Sequence, residues 1–89
     1  MIYFNEIVDG YLINIEATKE NEGYSICYKI SKDGEELNSQ IYGLYAETSH
    51  EFAKQIIVYS DTSDEEIKGI SILMKTIRKI IPNWSRGDK

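Results

Sequence analysis

Residues 64 to 81 decide the fold: they read DEEIKGISILMKTIRKII, and Pro82 follows them. Apolar side chains recur in this stretch at the three- and four-residue spacing of a helix, at Ile67, Ile70, Leu73, Met74, Ile77, Ile80 and Ile81. At about 100° per residue they fall within an arc of roughly 140°. Such a stripe has to be buried, so the sequence predicts a long amphipathic helix that packs on the rest of the chain.

The residues at both ends of this helix are those that helix termini favour. Ser63 and Glu66 have the spacing of a capping box, and Arg78 and Lys79 lie near the C-terminal end, where the helix dipole favours cations. The acidic residues between positions 61 and 66 could also suggest a divalent-metal site, but the EF-hand spacing and its glycine are absent. Capping is therefore the preferred interpretation of this acidic run.

Four segments before the helix are predicted to be strands, and they begin near residues 2, 11, 24 and 37. The segments from 11 and from 24 show the two-residue alternation of strands with one buried face. Turn residues separate the four segments: Asp9-Gly10 is a turn pair, and Asp33-Gly34 suits a type I′ hairpin turn, which needs positive φ at both central positions. Gly43 indicates a bulge in the last of these segments. The pattern predicts an antiparallel meander.

The segment from residue 49 to residue 60 allows two interpretations. Thr48 and Glu51 have capping-box spacing and precede apolar residues at helical spacing, which predicts a short helix around 49 to 58. The run QIIVYS at residues 55 to 60 is β-branched and aromatic, which favours a strand. A strand over 52 to 60 is preferred, because it would continue the regular spacing of the meander.

The predicted fold class is therefore α+β, with an antiparallel sheet of four to five strands packed by the long C-terminal helix. Because one helix covers only two or three strands, the remaining apolar surface requires a second short helix, a curled sheet or a homodimer. One domain is expected over residues 1 to 82, followed by a flexible polar tail over 83 to 89, in which Trp84 could still pack against the core.

Charge is distributed unevenly along the 89 residues. The net charge is −5, but residues 1 to 67 carry −10 and residues 68 to 89 carry +5. The N-terminus shows no secretory signal, no apolar run is long enough to span a membrane, and Cys27 is the only cysteine. These features lead us to expect a cytoplasmic protein.

The sequence predicts no catalytic, cofactor or metal site. Cys27 and His50 are the only residues of their types, too few for a structural zinc site, and nothing in the sequence brings them together as a catalytic pair. The glycine spacings match neither the Rossmann nor the Walker phosphate-binding motif. A small enzyme is therefore the least favoured of three hypotheses.

An acidic body favours a non-catalytic module that binds a basic surface of another protein. If that surface normally holds nucleic acid, the protein would act as an inhibitor or adaptor. Small immunity and phage-inhibitor proteins share this general character, without a motif that links the chain to them. The hypothesis requires the acidic residues to form one patch. The predicted partner-binding acids are Glu16, Glu20, Glu22, Asp33, Glu35 and Glu36, and Glu6, Asp9, Glu47 and Glu51 belong to the same set.

The polar face of the C-terminal helix suggests the alternative, a nucleic-acid binder. Lys68, Lys75 and Lys79 fall within about 40° of one another on a helical wheel, and Ile72 lies beside them. We call these three lysines the lysine ridge. A solvated helix face is its ordinary explanation, but Ile72 would be an exposed apolar residue that a partner could contact.

Overall fold

A computed structural model describes residues 1 to 84 of the chain and confirms the α+β class. Four strands form one antiparallel sheet in the order β1-β2-β3-β4, and two helices follow them in the chain. The elements are β1 (Ile2–Val8), β2 (Tyr11–Glu20), β3 (Gly23–Lys32), β4 (Glu35–Ala46), α1 (Ser49–Gln55) and α2 (Asp64–Ile80). No helix in the described part of the chain is long and apolar enough to cross a membrane.

Both predicted glycine turns connect neighbouring strands. Asp9 and Gly10 have φ values of 51° and 87°, and Asp33 and Gly34 have values of 52° and 82°. Positive φ at both central residues is the property of the type I′ turn, whose twist matches that of the strands it joins. These local conformations fix the register of β1 on β2 and begin that of β4 on β3.

The core lies between one face of the sheet, which we call the inner face, and the two helices. β2 and β3 supply its sheet side with Tyr11, Ile13, Ile15, Ala17, Ile26, Tyr28 and Ile30, all buried. These residues follow the two-residue alternation of the sequence. Leu73 and Ile77 of α2 and Phe52 of α1 are fully buried against them.

The preferred strand over residues 52 to 60 was wrong, because the chain forms the short helix α1 instead. The Thr48 hydroxyl accepts a hydrogen bond from the Glu51 amide at 3.0 Å, as the capping box predicts. Phe52 is buried in edge contact with Tyr28, which a strand at this position would not provide. The β-branched run after Ile56 is exposed and irregular. Among residues 1 to 84 it has no neighbouring strand to pair with, so its strand propensity does not produce a strand.

The predicted orientation of α2 was also wrong in one respect. Ile72 is only 6% exposed, whereas Ile67, predicted to be buried, is 46% exposed. The buried face is rotated by roughly 50° from the predicted one, at about 100° per residue. The observed buried face includes two small residues, Gly69 and Thr76, and the helix lies close to the sheet at Gly69.

Gly69 shows how close that approach is. A Cβ atom at this position would lie 2.8 Å from Cγ2 of Ile30 and 3.3 Å from the Tyr11 ring. Both neighbours are fully buried, so neither can move aside easily. The helix therefore rests on the sheet along Gly69, and the residues on either side of this line, including Ile72, become buried.

The predicted domain end at residue 82 was too early. Trp84 is 4% exposed, its indole Nε1 donates to the Ala46 carbonyl at 3.1 Å, and its ring contacts Tyr24 and Phe52. Its own carbonyl accepts from the Ser49 amide at 3.1 Å. The folded unit thus extends at least to Trp84, and the rest of the predicted tail, residues 85 to 89, lies outside the described residues.

Candidate interaction surfaces

The side of the sheet that faces away from both helices, which we call the outer face, is the largest candidate surface. The alternation of strands places on it the residues that the core does not use: Tyr3, Asn5, Ile7, Leu12, Asn14, Glu16, Glu20, Cys27, Lys29 and Tyr45. Several of these side chains are apolar and exposed, and Ile41 beside them is 74% exposed. Both helices follow β4 and pack on the inner face, so no described element covers the outer one.

A shallow groove crosses the middle of the outer face. Its lining combines aromatic, aliphatic, amide and charged groups from all four strands: Tyr3, Asn5, Asn14, Glu16, Cys27, Lys29 and Ile41. The Asn14 side chain donates a hydrogen bond to Asn5, and the Cys27 thiol donates to the Ile41 carbonyl at 3.4 Å. The second contact arises from the predicted bulge near Gly43, because the register of β4 shifts opposite Cys27. A mixed open groove of this kind suits contact with another protein surface.

Four carboxylates lie near enough to Tyr45, at one end of the sheet, for their charges to act on its phenol, and we call this group the acidic end. Its members are Glu20, Glu22, Glu47 and Glu51. Burial raises the pKa of the Tyr45 phenol, and the negative charges of these four residues raise it further. The ring itself is 40% exposed, so an aromatic surface lies within the acidic group.

The acidic residues do not form the single patch that the sequence hypothesis required. Asp33, Glu35 and Glu36 lie at the opposite end of the sheet from Glu22, since Glu22 precedes β3 and Asp33 follows it. A ten-residue strand separates the two groups by about 30 Å. Glu16 lies apart from both, in the groove. The predicted partner-binding acids are therefore divided between two ends and one middle position.

The lysine ridge is exposed on α2, as predicted, but it lacks its apolar residue. Lys68, Lys75 and Lys79 are accessible on the side of the helix away from the sheet. Ile72 points into the core instead of lying beside them, which corrects its assignment as a partner-contacting residue. The ridge is thus a row of cations without the apolar contact that distinguished it from a solvated helix face.

Cys27 and His50 lie on opposite sides of the sheet. Cys27 belongs to the outer face, whereas His50 is an exposed residue of α1, whose Phe52 packs on the inner face. Among residues 1 to 84, no three His, Cys, Asp or Glu side chains are grouped so that they could hold a metal ion. Asp64, Glu65 and Glu66 lie in the first turn of α2, where the helix dipole favours negative charge, and the Ser63 hydroxyl caps this turn by accepting from the Glu66 amide at 3.1 Å.

Two buried tyrosines anchor the start of α2 to the sheet, an arrangement that the sequence analysis missed. The Tyr11 hydroxyl donates to Glu65 at 2.6 Å, and Lys32 forms an ion pair with the same carboxylate at 3.2 Å. The Tyr28 hydroxyl donates to Asn38 at 2.5 Å, and the Asn38 amide donates to Glu66 at 2.7 Å. No spacing rule connects residues so far apart in the chain.

The first of these anchors shifts the pKa of both partners. The hydrogen bond to Glu65, together with burial and the carboxylate charge, raises the pKa of Tyr11 to about 12. The hydrogen bond from Tyr11 and the contact with Lys32 hold the pKa of Glu65 below its usual range. In the second anchor, burial and the charge of Glu66 raise the pKa of Tyr28 to about 12.

Comparisons of the chain with protein-family models, with curated proteins and with solved structures find no match.

Alkaline pH is expected to weaken the fold through Tyr11 and Tyr28. Both phenols keep their proton to about pH 12 in the folded protein, whereas an unfolded tyrosine loses it near 10. The folded state then binds more protons, so the free energy of unfolding should fall as pH rises between about 10 and 12. Urea denaturation at a series of pH values measures this slope. The fall in the free energy of unfolding with pH should be smaller in Tyr28→Phe and smaller still in Tyr11→Phe/Tyr28→Phe. An equally steep fall in the double variant would contradict the raised pKa values of these two tyrosines.

Proposed function

We propose that this protein is a non-catalytic protein-binding module that docks its acidic end, with the adjoining outer face, onto a basic surface of another protein. The observation that carries the proposal is the half-exposed Tyr45 ring among Glu20, Glu22, Glu47 and Glu51. An aromatic contact surrounded by charged groups resembles the composition of protein interfaces, whose centres are enriched in tyrosine and whose rims are polar.

The charge of the partner follows from that of the chain. Residues 1 to 67 carry −10, and the acidic end contributes four of these charges to one region. A basic partner surface would be attracted over a distance of about one Debye length, which accelerates association and selects against acidic partners. If the partner surface is one that binds phosphate backbones, the protein would compete with nucleic acid and act as an inhibitor or adaptor. A cytoplasmic location belongs to the same proposal, because the only cysteine is a free thiol.

A charge-reversal experiment with a matched control tests this proposal. Immobilised wild type is expected to capture a basic nucleic-acid-binding protein from lysate of the source cells, and added DNA should release it. Glu20→Lys/Glu22→Lys should lose this capture, because it reverses half of the acidic end. Glu35→Lys/Glu36→Lys changes the net charge by the same amount at the other end of the sheet and should retain it.

Three outcomes of the capture experiment would contradict the proposal. Equal loss in both variants would indicate attraction by net charge alone, and equal retention would place the contact elsewhere. Capture of nucleic acid itself, abolished by Lys75→Glu/Lys79→Glu, would establish the alternative, in which the lysine ridge binds phosphates and the affinity falls steeply with salt.

A further inference from the structure

The two edges of the sheet differ in how well they are protected from pairing with another strand. β1 pairs with β2 in one unbroken register over all seven of its residues, and it contains no proline, lysine or bulge. β4 has two register shifts against β3, and the Gln55 side chain donates to the Tyr45 carbonyl at 2.9 Å. Bulges, covering groups and inward-pointing charges are the usual protection of an edge strand. β4 has the first two, whereas β1 has only the single charge of Glu6, so β1 is the more open edge.

The turn that joins β1 to β2 determines which backbone groups of β1 are free. In a two-residue hairpin, the residues that flank the turn, here Val8 and Tyr11, form a hydrogen-bonded pair. Hydrogen-bonded and non-bonded pairs then alternate along the ladder. The amide and carbonyl groups of Tyr3, Asn5 and Ile7 therefore point away from β2, towards the open edge.

We propose that this edge pairs with the same edge of a second copy of the chain, antiparallel, with the twofold axis beside Asn5. In this register Asn5 faces Asn5 of the second copy, and Tyr3 faces its Ile7. The free backbone amide and carbonyl groups of Tyr3, Asn5 and Ile7 in both copies are then paired, through about six hydrogen bonds across the axis. The two sheets become one continuous eight-stranded sheet with both outer faces on the same side.

Self-complementarity is the reason for assigning a second copy rather than an unrelated peptide. The same register that pairs the free backbone groups also places Tyr3 beside Ile7 on the outer face, an aromatic and β-branched pair of the kind that stabilises sheets. On the inner face it places Ile2 opposite Val8, and both are only partly covered within one copy. Glu6 is the only charged residue of β1, and it faces Phe4 of the second copy rather than the other Glu6.

The proposal is independent of the acidic end and of its partner. Tyr45 lies on β4, which β2 and β3 separate from β1, and Glu20 at the end of β2 lies three residues beyond Ala17, the last residue of β2 that pairs with β1. Dimerisation through β1 would leave the acidic end of each copy accessible and would give a basic partner two binding sites per dimer. Failure of the capture experiment would not affect the dimer, and a monomeric protein could still bind its partner.

Disulfide trapping with a matched control tests the register. In a Cys27→Ser background, Asn5→Cys places two thiols across the axis, with Cα atoms about 5.5 Å apart, which a disulfide can span. Asn14→Cys is the control, because it removes the same Asn5–Asn14 hydrogen bond but lies on β2, one strand away from the edge. The two Cα atoms at position 14 of the dimer would be about 14 Å apart, too far for a disulfide. We expect a covalent dimer on mild oxidation for Asn5→Cys and none for Asn14→Cys.

Sedimentation equilibrium tests the association without a cross-link. Wild type should show a monomer–dimer equilibrium between about 1 μM and 1 mM, the range of weak associations. Ile7→Lys should be monomeric, because a lysine at an edge opposes strand pairing. Ile41→Lys is the control, since Ile41 is as exposed as Ile7, at 74% against 72%, but lies on β4. A wild type that stays monomeric, a dimer disrupted equally by both substitutions, or equal cross-linking of both cysteine variants would overturn the proposal.

Discussion

Ile77→Asp is expected to unfold the protein. Ile77 is fully buried between α2 and the sheet, and an aspartate there would place a carboxylate in the core without a partner. Such a change costs about 4–5 kcal/mol or more, which is comparable with the whole stability of a small domain. Far-UV circular dichroism at 25 °C should show the loss of the helices and the sheet.

Two further substitutions on α2 make this result specific to the helix orientation. Ile67→Asp introduces the same charge into the same helix at a position that is 46% exposed, and it should leave the protein folded. Ile72→Asp should unfold it, because Ile72 is buried, whereas the sequence pattern alone predicted tolerance. A folded Ile72→Asp variant together with an unfolded Ile67→Asp variant would restore the orientation predicted from the sequence.

Trp84→Ala is expected to lower the free energy of unfolding by about 3–5 kcal/mol, the usual effect of removing a large buried aromatic side chain. The indole fills the space between Tyr24 and Phe52, and its Nε1 hydrogen satisfies the Ala46 carbonyl. Its removal would leave a cavity at the junction of β4 and α1 and would take one hydrogen bond from the Ala46 carbonyl. Urea denaturation followed by circular dichroism measures the loss.

The neighbouring residue provides the control for Trp84. Asn83→Ala changes an exposed position in the same segment and should alter the free energy of unfolding by less than about 0.5 kcal/mol. If Trp84→Ala were equally mild, the folded unit would end near residue 82, as the sequence analysis predicted. A large effect of Trp84→Ala with a silent Asn83→Ala places the end of the core at or beyond residue 84.

The proposed surfaces follow from the order of the elements. Both helices come after β4, and both pack on the inner face, where the alternating apolar residues of β2 and β3 lie. An 89-residue chain has no further described element to cover the outer face or the edge of β1. The same arrangement that builds one core therefore leaves an open sheet face and an open edge available for partners.

The sequence by itself determined those features that depend on neighbouring residues in the chain. The alternation in β2 and β3, the positive-φ pairs Asp9-Gly10 and Asp33-Gly34, and the helix capped by Ser63 were all predicted from local patterns. Each of these is decided by backbone sterics or by hydrogen bonds within a few residues. They were enough to give the α+β class and the antiparallel meander.

The tertiary structure alone decided between helix and strand in the segment after β4, and it alone decided which residues distant in the sequence are in contact. Phe52 is buried beside Tyr28 and Trp84 when residues 49 to 55 are helical. This packing favours the helix, although the run that follows has high strand propensity. Gly69 packs closely against Ile30 of the sheet, and this contact depends on the tertiary structure. In the resulting orientation of α2, Ile72 is buried in the core. The acidic end likewise draws its residues from the end of β2, the β2–β3 turn, the β4–α1 connection and α1, because packing brings together charges that the linear sequence separates by up to 31 positions.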